Sequence, residues 1–119
     1  MISDDEAEKA AEFLLRKAGE LGRLKAEAIR TERMLKVILA TEKKRISDQP
    51  ANVQEREALA SPAYQAAVDA EFTANLAFET SKGVWAAIET KIEVWRTQQA
   101  TARSQDRAIS GNIGKGFGS

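Results

Sequence analysis

The sequence predicts an all-α protein. We expect an elongated antiparallel helical hairpin with a short elbow helix, and we expect this hairpin to be coiled-coil-like and to form oligomers. Three observations predict this fold. The 119 residues are 30% charged and 43% hydrophobic with only two prolines, a mixture typical of helical bundles and coiled coils. Two long stretches repeat apolar residues at helical spacing, and both prolines lie between them. Positive and negative charges are segregated along the chain, although the net charge is zero.

The first long helix is predicted over about residues 3–47. Ser3 and Glu6 occupy the N-cap and N3 positions of a capping box, which marks the start of the helix. Gly19 and Gly22 interrupt the pattern, and we interpret them as a bend or a close helix crossing. The apolar residues that recur at helical spacing are Ala7, Ala10, Ala11, Leu14, Ala18, Leu21, Leu24, Ala28, Leu35, Ile38 and Leu39.

The second long helix is predicted over about residues 62–107. Ser61 serves as N-cap, and Pro62 takes the first helical position, where its missing N–H costs nothing. A second stripe, Val68, Phe72 and Leu76, lies beside the main seam, and one helical partner would not cover both, which indicates a further chain. The main seam alternates three- and four-residue steps in a heptad register through Tyr64, Ala67, Glu71, Ala74, Phe78, Ser81, Trp85, Ile88, Ile92, Trp95, Gln99 and Ala102. Its apolar part, the predicted core or oligomer seam, is Phe78, Trp85, Ile88, Ile92 and Trp95.

The segment between the long helices is predicted to be a helical elbow with a short helix over about residues 52–60. Asn52 and Glu55 stand at N-cap and N3 spacing at the start of that helix. Residues 1–107 thus form one helical hairpin. Residues 108–119 are predicted to be a flexible Gly-rich tail, because SGNIGKGFGS has four glycines in its ten residues.

Charge placement favours antiparallel pairing of the helices. Residues 1–12 carry a net charge of −4 and residues 16–45 a net charge of +6. Residues 51–95 carry −4 and residues 96–119 carry +3. Folding the chain back at the elbow brings each block beside one of opposite sign. Exposed pairs are worth less than about 1 kcal/mol each, so they select orientation more than they stabilise.

Composition excludes several functional classes. The chain has no histidine and no cysteine, which removes Ser-His-Asp and Cys-His triads, disulfides and ordinary zinc sites. We therefore expect no enzymatic activity and no cofactor or metal. There is no apolar run near twenty residues and no signal-peptide pattern, so we expect a cytoplasmic protein without membrane association.

Basic residues follow one face of the first helix at seven-residue spacing. Lys9, Arg16, Arg23 and Arg30 keep this spacing, which holds side chains on nearly one face. One interpretation is a solvated face that pairs with the second helix. The other is an electrostatic track for a nucleic-acid backbone. The candidate DNA-binding residues on this helix are Arg16, Arg23, Arg30, Arg33, Lys36, Lys43, Lys44 and Arg45.

Two phrases carry a resemblance to a known family. A long basic helix and a polar break precede QEREALASPAYQ (54–65) and a heptad helix containing IEVWRTQ (92–98). This layout resembles phage recombination mediators of the UvsY type. The resemblance implies a homo-oligomer that binds single-stranded DNA and helps to load a RecA-like recombinase onto strands coated with single-strand binding protein, in the host cytoplasm. It also implies a DNA-binding role for Arg96, Arg103 and Arg107, which follow the apolar part of the second helix.

A second hypothesis belongs to a different class. The heptad seam would also suit a structural adaptor or scaffold that binds a partner helix. Such a protein would form a stable protein complex and would be indifferent to DNA.

Overall fold

The computed structural model describes the backbone of residues 1–117 and the side chains of residues 1–111. It contains three helices, α1 (Asp4–Arg45), α2 (Ala51–Ala60) and α3 (Pro62–Phe117), and no strand among the described residues. The predicted all-helical class is confirmed. None of the described helices is long and apolar enough to cross a membrane.

The chain divides into two compact units. The first unit comprises Met1–Lys17 and Val84–Ser119, and the second comprises Ala18–Gly83. The first unit therefore joins the start of α1 to the later part of α3. The second contains the rest of α1, the whole of α2 and the start of α3.

The start of α1 has the predicted capping box. The Glu6 amide donates a hydrogen bond to Ser3 Oγ over 3.1 Å, and the Ala7 amide donates to the Ser3 carbonyl over 3.0 Å. The first bond satisfies the Glu6 N–H, which has no partner inside the helix, and the second is the first i→i−4 bond of α1. Asp4, Asp5 and Glu6 in the first turn also favour the helix dipole.

Polar contacts join the two segments of the first unit. The Ile2 amide donates to Gln98 Oε1 over 3.1 Å, and Glu6 Oε2 lies 3.2 Å from Lys91 Nζ. Between them, Asp4 Oδ1 accepts hydrogen bonds from Trp95 Nε1 over 2.8 Å and Gln99 Nε2 over 3.1 Å. In these contacts residue numbers rise along one segment as they fall along the other.

The start of α2 differs from the prediction. Pro50, not Asn52, is the N-cap, and no side chain caps this helix. The amides of Val53 and Gln54 both donate to the Pro50 carbonyl, so Asn52 already lies inside α2. The Gln54 side chain instead holds the preceding turn, because its Nε2 donates to the Gln49 carbonyl over 2.6 Å.

The junction between α2 and α3 is centred on Ser61. Its hydroxyl donates to the Ala58 carbonyl over 2.7 Å and accepts the Tyr64 amide over 3.2 Å. One side chain thus bonds the end of α2 and caps the start of α3, as the Ser61-Pro62 pair predicts. Ala58, whose carbonyl accepts the bond from the Ser61 hydroxyl, is only 1% exposed.

The predicted seam of α3 follows the packed face. From Tyr64 to Gln99 every predicted seam residue is half-buried, whereas Ala102 is exposed. In α1 the pattern holds for the leucines and isoleucines, but Ala11 and Ala18 are exposed. The buried residues of the described chain are all small: Ala7, Ala10, Ala28, Thr31 and Ala58.

The described end of α3 lies beyond the predicted one. The helix reaches Phe117, whereas the sequence pattern predicts an end at about residue 107 and a Gly-rich tail from residue 108. Glycine lowers helix propensity by about 1 kcal/mol against alanine but does not forbid a helix. Residues 118 and 119 of the predicted tail lie outside the described residues.

Gly19, Gly22 and Gly83 mark no close helix crossing. Beyond its chain neighbours and the backbone of its own helix, a methyl group on Gly19, Gly22 or Gly83 meets no atom within 4 Å, and none of these residues has a positive φ. Each glycine therefore weakens its helix without making room for a neighbour.

Replacing Gly22 should consequently stabilise the protein. Alanine at position 22 loses less backbone entropy on folding, so we expect Gly22→Ala to raise the free energy of unfolding by about 0.5–1 kcal/mol. Urea unfolding followed by circular dichroism measures this change. The exposed Ala26 provides the matched control, since Ala26→Gly should lower stability by a similar amount. Destabilisation by Gly22→Ala would contradict the open space around this residue.

The Glu6–Lys91 ion pair should make the first unit sensitive to acid. The hydrogen bond and charge of Lys91 lower the pKa of Glu6 below its ordinary value of 4.5. A lowered folded-state pKa gives stability that is present above the unfolded value and is lost as pH falls through the folded value. We expect carboxyl NMR titration to show a lowered Glu6 pKa that returns toward 4.5 in Lys91→Met. Lys36→Met is the control, and an equal rise in both variants would exclude the ion pair as the cause.

Candidate nucleic-acid interface

The candidate interface is the basic surface of α1. Residues 16–45 contain ten bases and only four acids. The helix places these bases at intervals of 1.5 Å along its axis and 100° around it. Lys17 and Lys43 are half-buried, and the other eight bases are exposed.

Two of the predicted DNA-binding arginines of α1 form ion pairs with acids of the same helix. Arg30 binds Glu27 with both ends of its guanidinium, Nη2 at 2.6 Å and Nε at 3.1 Å from the carboxylate oxygens. This bidentate ion pair lowers the pKa of Glu27 and raises the pKa of Arg30. Arg45 Nη1 lies 3.0 Å from Glu42 Oε2. The Arg30–Glu27 pair is largely exposed and joins residues one turn apart, so it is weak and a phosphate can compete with the carboxylate.

The other candidates of the second unit are bases without an ion pair. Arg23 lies close enough to Glu27 to contribute to its lowered pKa but forms no salt bridge with it. Among the described residues, no carboxylate forms an ion pair with Arg23, Arg33, Lys36, Lys43 or Lys44. Lys25, absent from the predicted set, is also exposed and forms none. The unpaired charge thus lies between residues 23 and 44.

The remaining candidates belong to the first unit. The Arg16 guanidinium lies 5.9 Å from the ring centroid of Phe13, within cation–π distance. Arg96 Nη1 pairs with Glu93 over 2.6 Å, and Arg103 Nε donates to the Gln99 carbonyl over 3.4 Å. Arg107 is exposed, and no hydrogen bond or ion pair is found for it in the described part of the chain. The predicted DNA-binding set is therefore divided, with these four residues in one unit and seven in the other.

Direct pairing of the basic α1 with the acidic α3 is not found at these residues. None of the unpaired bases of the second unit reaches a carboxylate of α3, although Asp69 and Glu79 are exposed in the same unit. The side chains of Arg23, Arg33, Lys36 and Lys44 are instead exposed to solvent. The charge segregation is thus real, but it leaves the bases of α1 available to an external anion.

Two polar features of the packed faces were missed by sequence reasoning. Trp95 was predicted as an apolar seam residue, but its indole N–H donates to Asp4. Thr31 is 5% exposed, and its hydroxyl donates to the backbone carbonyls of Glu27 and Ala28. Only the second has a local sequence signal, since a helical threonine commonly bonds the carbonyl four residues before it.

The surface between α1 and α3 of the second unit is a shallow groove. Small side chains of α3, including Ala70, Ala74 and Ala77, line it, and Glu27, Arg30 and Asp69 lie among its lining residues. In the described part of the chain no three His, Cys, Asp or Glu residues are grouped to hold a metal ion. What the unit offers chemically is a row of exposed guanidinium and ammonium groups on a regular helix.

Comparison with known proteins adds no relative to this description. The chain matches no family model, no curated protein and no solved structure.

Proposed function

We propose that this protein is a non-enzymatic accessory protein that binds single-stranded DNA through the basic surface of α1. The observation that carries the proposal is the surplus of exposed bases between residues 23 and 44 that form no ion pair. A phosphate backbone is the polyanion that neutralises such a row, and binding would release its condensed counterions. The zero net charge of the chain limits non-specific attraction to this one surface.

The arrangement of the bases supports backbone binding without base readout. Arg23 and Arg30 are seven residues apart, which places them about 10 Å apart along one side of α1. The guanidinium group of arginine can bind a phosphate with two parallel hydrogen bonds, and the ammonium group of lysine acts as a point charge. No exposed aromatic accompanies this row on α1, so the expected affinity is electrostatic and independent of sequence.

The biological role proposed for this binding is that of a phage recombination mediator. The layout of the chain resembles the UvsY type, and the proposal includes an antiparallel hairpin over the whole chain, assembly into a homo-oligomer and action in the host cytoplasm. A RecA-like recombinase and a single-strand binding protein are the proposed partners. Repetition of one basic surface around an oligomer would multiply a weak contact by raising its effective concentration.

A structural adaptor is the second candidate function. It is favoured by the absence of any fully buried large side chain among the described residues. A helix from another protein would complete the packing, and DNA would have no part. The two functions are separated by the next two experiments.

DNA binding should depend steeply on salt. For single strands, the logarithm of the binding constant falls with the logarithm of salt concentration by about 0.7 for each phosphate neutralised. With three or four contacts per chain we expect a slope of about −2 to −3 in fluorescence anisotropy with labelled oligonucleotides of different sequences. No anisotropy change at 50 mM salt with tens of micromolar protein would exclude the DNA-binding function.

Charge reversal on α1 should abolish this binding selectively. We expect Arg23→Glu with Arg30→Glu to weaken DNA binding at least tenfold and to flatten the salt dependence, because two phosphate contacts are lost. The matched control is Arg56→Glu with Lys82→Glu, which makes the same change in net charge at exposed positions of α2 and α3. If both double variants lose affinity equally, net charge and not the α1 surface is responsible. If both double variants still form a complex with a partner protein, the adaptor function is favoured.

A further inference from the structure

An apolar stripe on α3 of the second unit has no partner within that unit. Val68, Phe72 and Leu76 lie four residues apart, and the Phe72 and Leu76 side chains are 67% and 57% exposed. This stripe was predicted from the sequence as a surface that one helical partner would not cover. Asp69 and Glu79 lie beside it, are exposed and form no ion pair. The α3 stripe is therefore apolar with an acidic rim.

A stripe on α1 of the same unit has the complementary character. Ile29, Arg33 and Val37 also lie four residues apart, and Ile29 and Val37 are 38% and 53% exposed. Arg33 stands between them without an ion pair, and Lys25 and Lys36, equally unpaired, lie at its edges. The exposed Glu32 lies at the same edge, so the α1 stripe is apolar with a rim of net positive charge.

We propose that the α3 stripe of one copy of this chain docks on the α1 stripe of a second copy. Both stripes are rows of residues spaced by four, and such rows interdigitate in the commonest class of helix packing. Docking places Arg33 of one copy over the Phe72 ring of the other, a cation–π geometry between a base and an aromatic that both lack a partner. The acidic rim then faces the basic rim.

Two observations indicate that a second copy of this chain covers the α3 stripe: the opposite charges of the two rims, and the small amount of apolar surface that one chain buries. The described residues bury only four alanines and one threonine, so the chain alone keeps every large apolar side chain at least partly in water. Docking would remove Phe72, Leu76 and Val37 from water together. The contact is heterologous, because it joins two different surfaces, and such contacts close into rings or continue into filaments unless a twofold axis repeats them. Docking leaves Arg23 and Arg30 outside the contact but covers Arg33, Lys25 and Lys36, so a second copy and DNA would compete for these three bases.

The test measures molar mass by size-exclusion chromatography with light scattering, without nucleic acid. The chain of 13.0 kDa should elute as an oligomer, and Phe72→Asp and Val37→Asp should each reduce it to the monomer. Both side chains are more than half exposed, so these variants should keep their helical circular dichroism. Leu15→Asp, at an 82% exposed position of α1 outside both stripes, should leave the oligomer unchanged.

Mixing the two monomeric variants gives the decisive result. Phe72→Asp retains the α1 stripe and Val37→Asp retains the α3 stripe, so their equimolar mixture should form a dimer of about 26 kDa, twice the mass of one chain. A mixture that stays monomeric overturns the proposal, because the retained α1 stripe and the retained α3 stripe would then not bind each other. A monomeric native chain at 100 µM, or an oligomer that survives Phe72→Asp, overturns it as well. Loss of DNA binding alone has no bearing on this result.

Discussion

Two helices packed side by side can bury only one stripe of each. This limit determines which side chains of this protein are buried and which remain exposed. The seam of α3 from Tyr64 to Gln99 is half-buried throughout, yet no large side chain in the described chain is fully removed from water. The buried residues are four alanines and one threonine, whose small side chains contribute little apolar area. Polar contacts therefore carry an unusual share of the specificity. Asp4 joins Trp95 and Gln99 in the first unit, and Ser61 joins α2 to α3 in the second.

Because so little of each helix is buried, most charged side chains remain in solvent. Their distribution then determines which charged partners the surface attracts. Weak pairs within one helix, such as Glu27 with Arg30, neutralise part of α1, while bases from Arg23 to Lys44 remain unpaired. The acids of α3 are not used to neutralise those bases. A chain with zero net charge can thus present one surface that favours a polyanion and another, around Phe72, that favours a basic partner.

Much of this architecture could be predicted from residue patterns because the signals are local. The capping box at Ser3, the Ser61-Pro62 start and the heptad steps of α3 act within one or two helical turns, and the structure has them where the pattern places them. The errors arise where competing local signals exist. Asn52 is a good N-cap residue, but Pro50 with its extended backbone precedes it and starts α2 earlier. The indole bond of Trp95 to Asp4 joins residues 91 apart in sequence, and no local pattern indicates such a contact. For the candidate interface, the sequence could locate the bases but not which of them form an ion pair, since that depends on rotamers and on the distance to α3.

The position of the two tryptophans has a practical consequence. Trp85 and Trp95 both belong to the first unit, and the second unit contains Tyr64 but no tryptophan. Indole emission therefore reports on the first unit alone, and the Asp4 carboxylate beside Trp95 makes it responsive to the contact between α1 and α3 there. Helical ellipticity reports on both units together. Both signals can be recorded during unfolding of one unlabelled sample. Coincident transitions would mean that the two units unfold in one step, and separate transitions that they unfold in two.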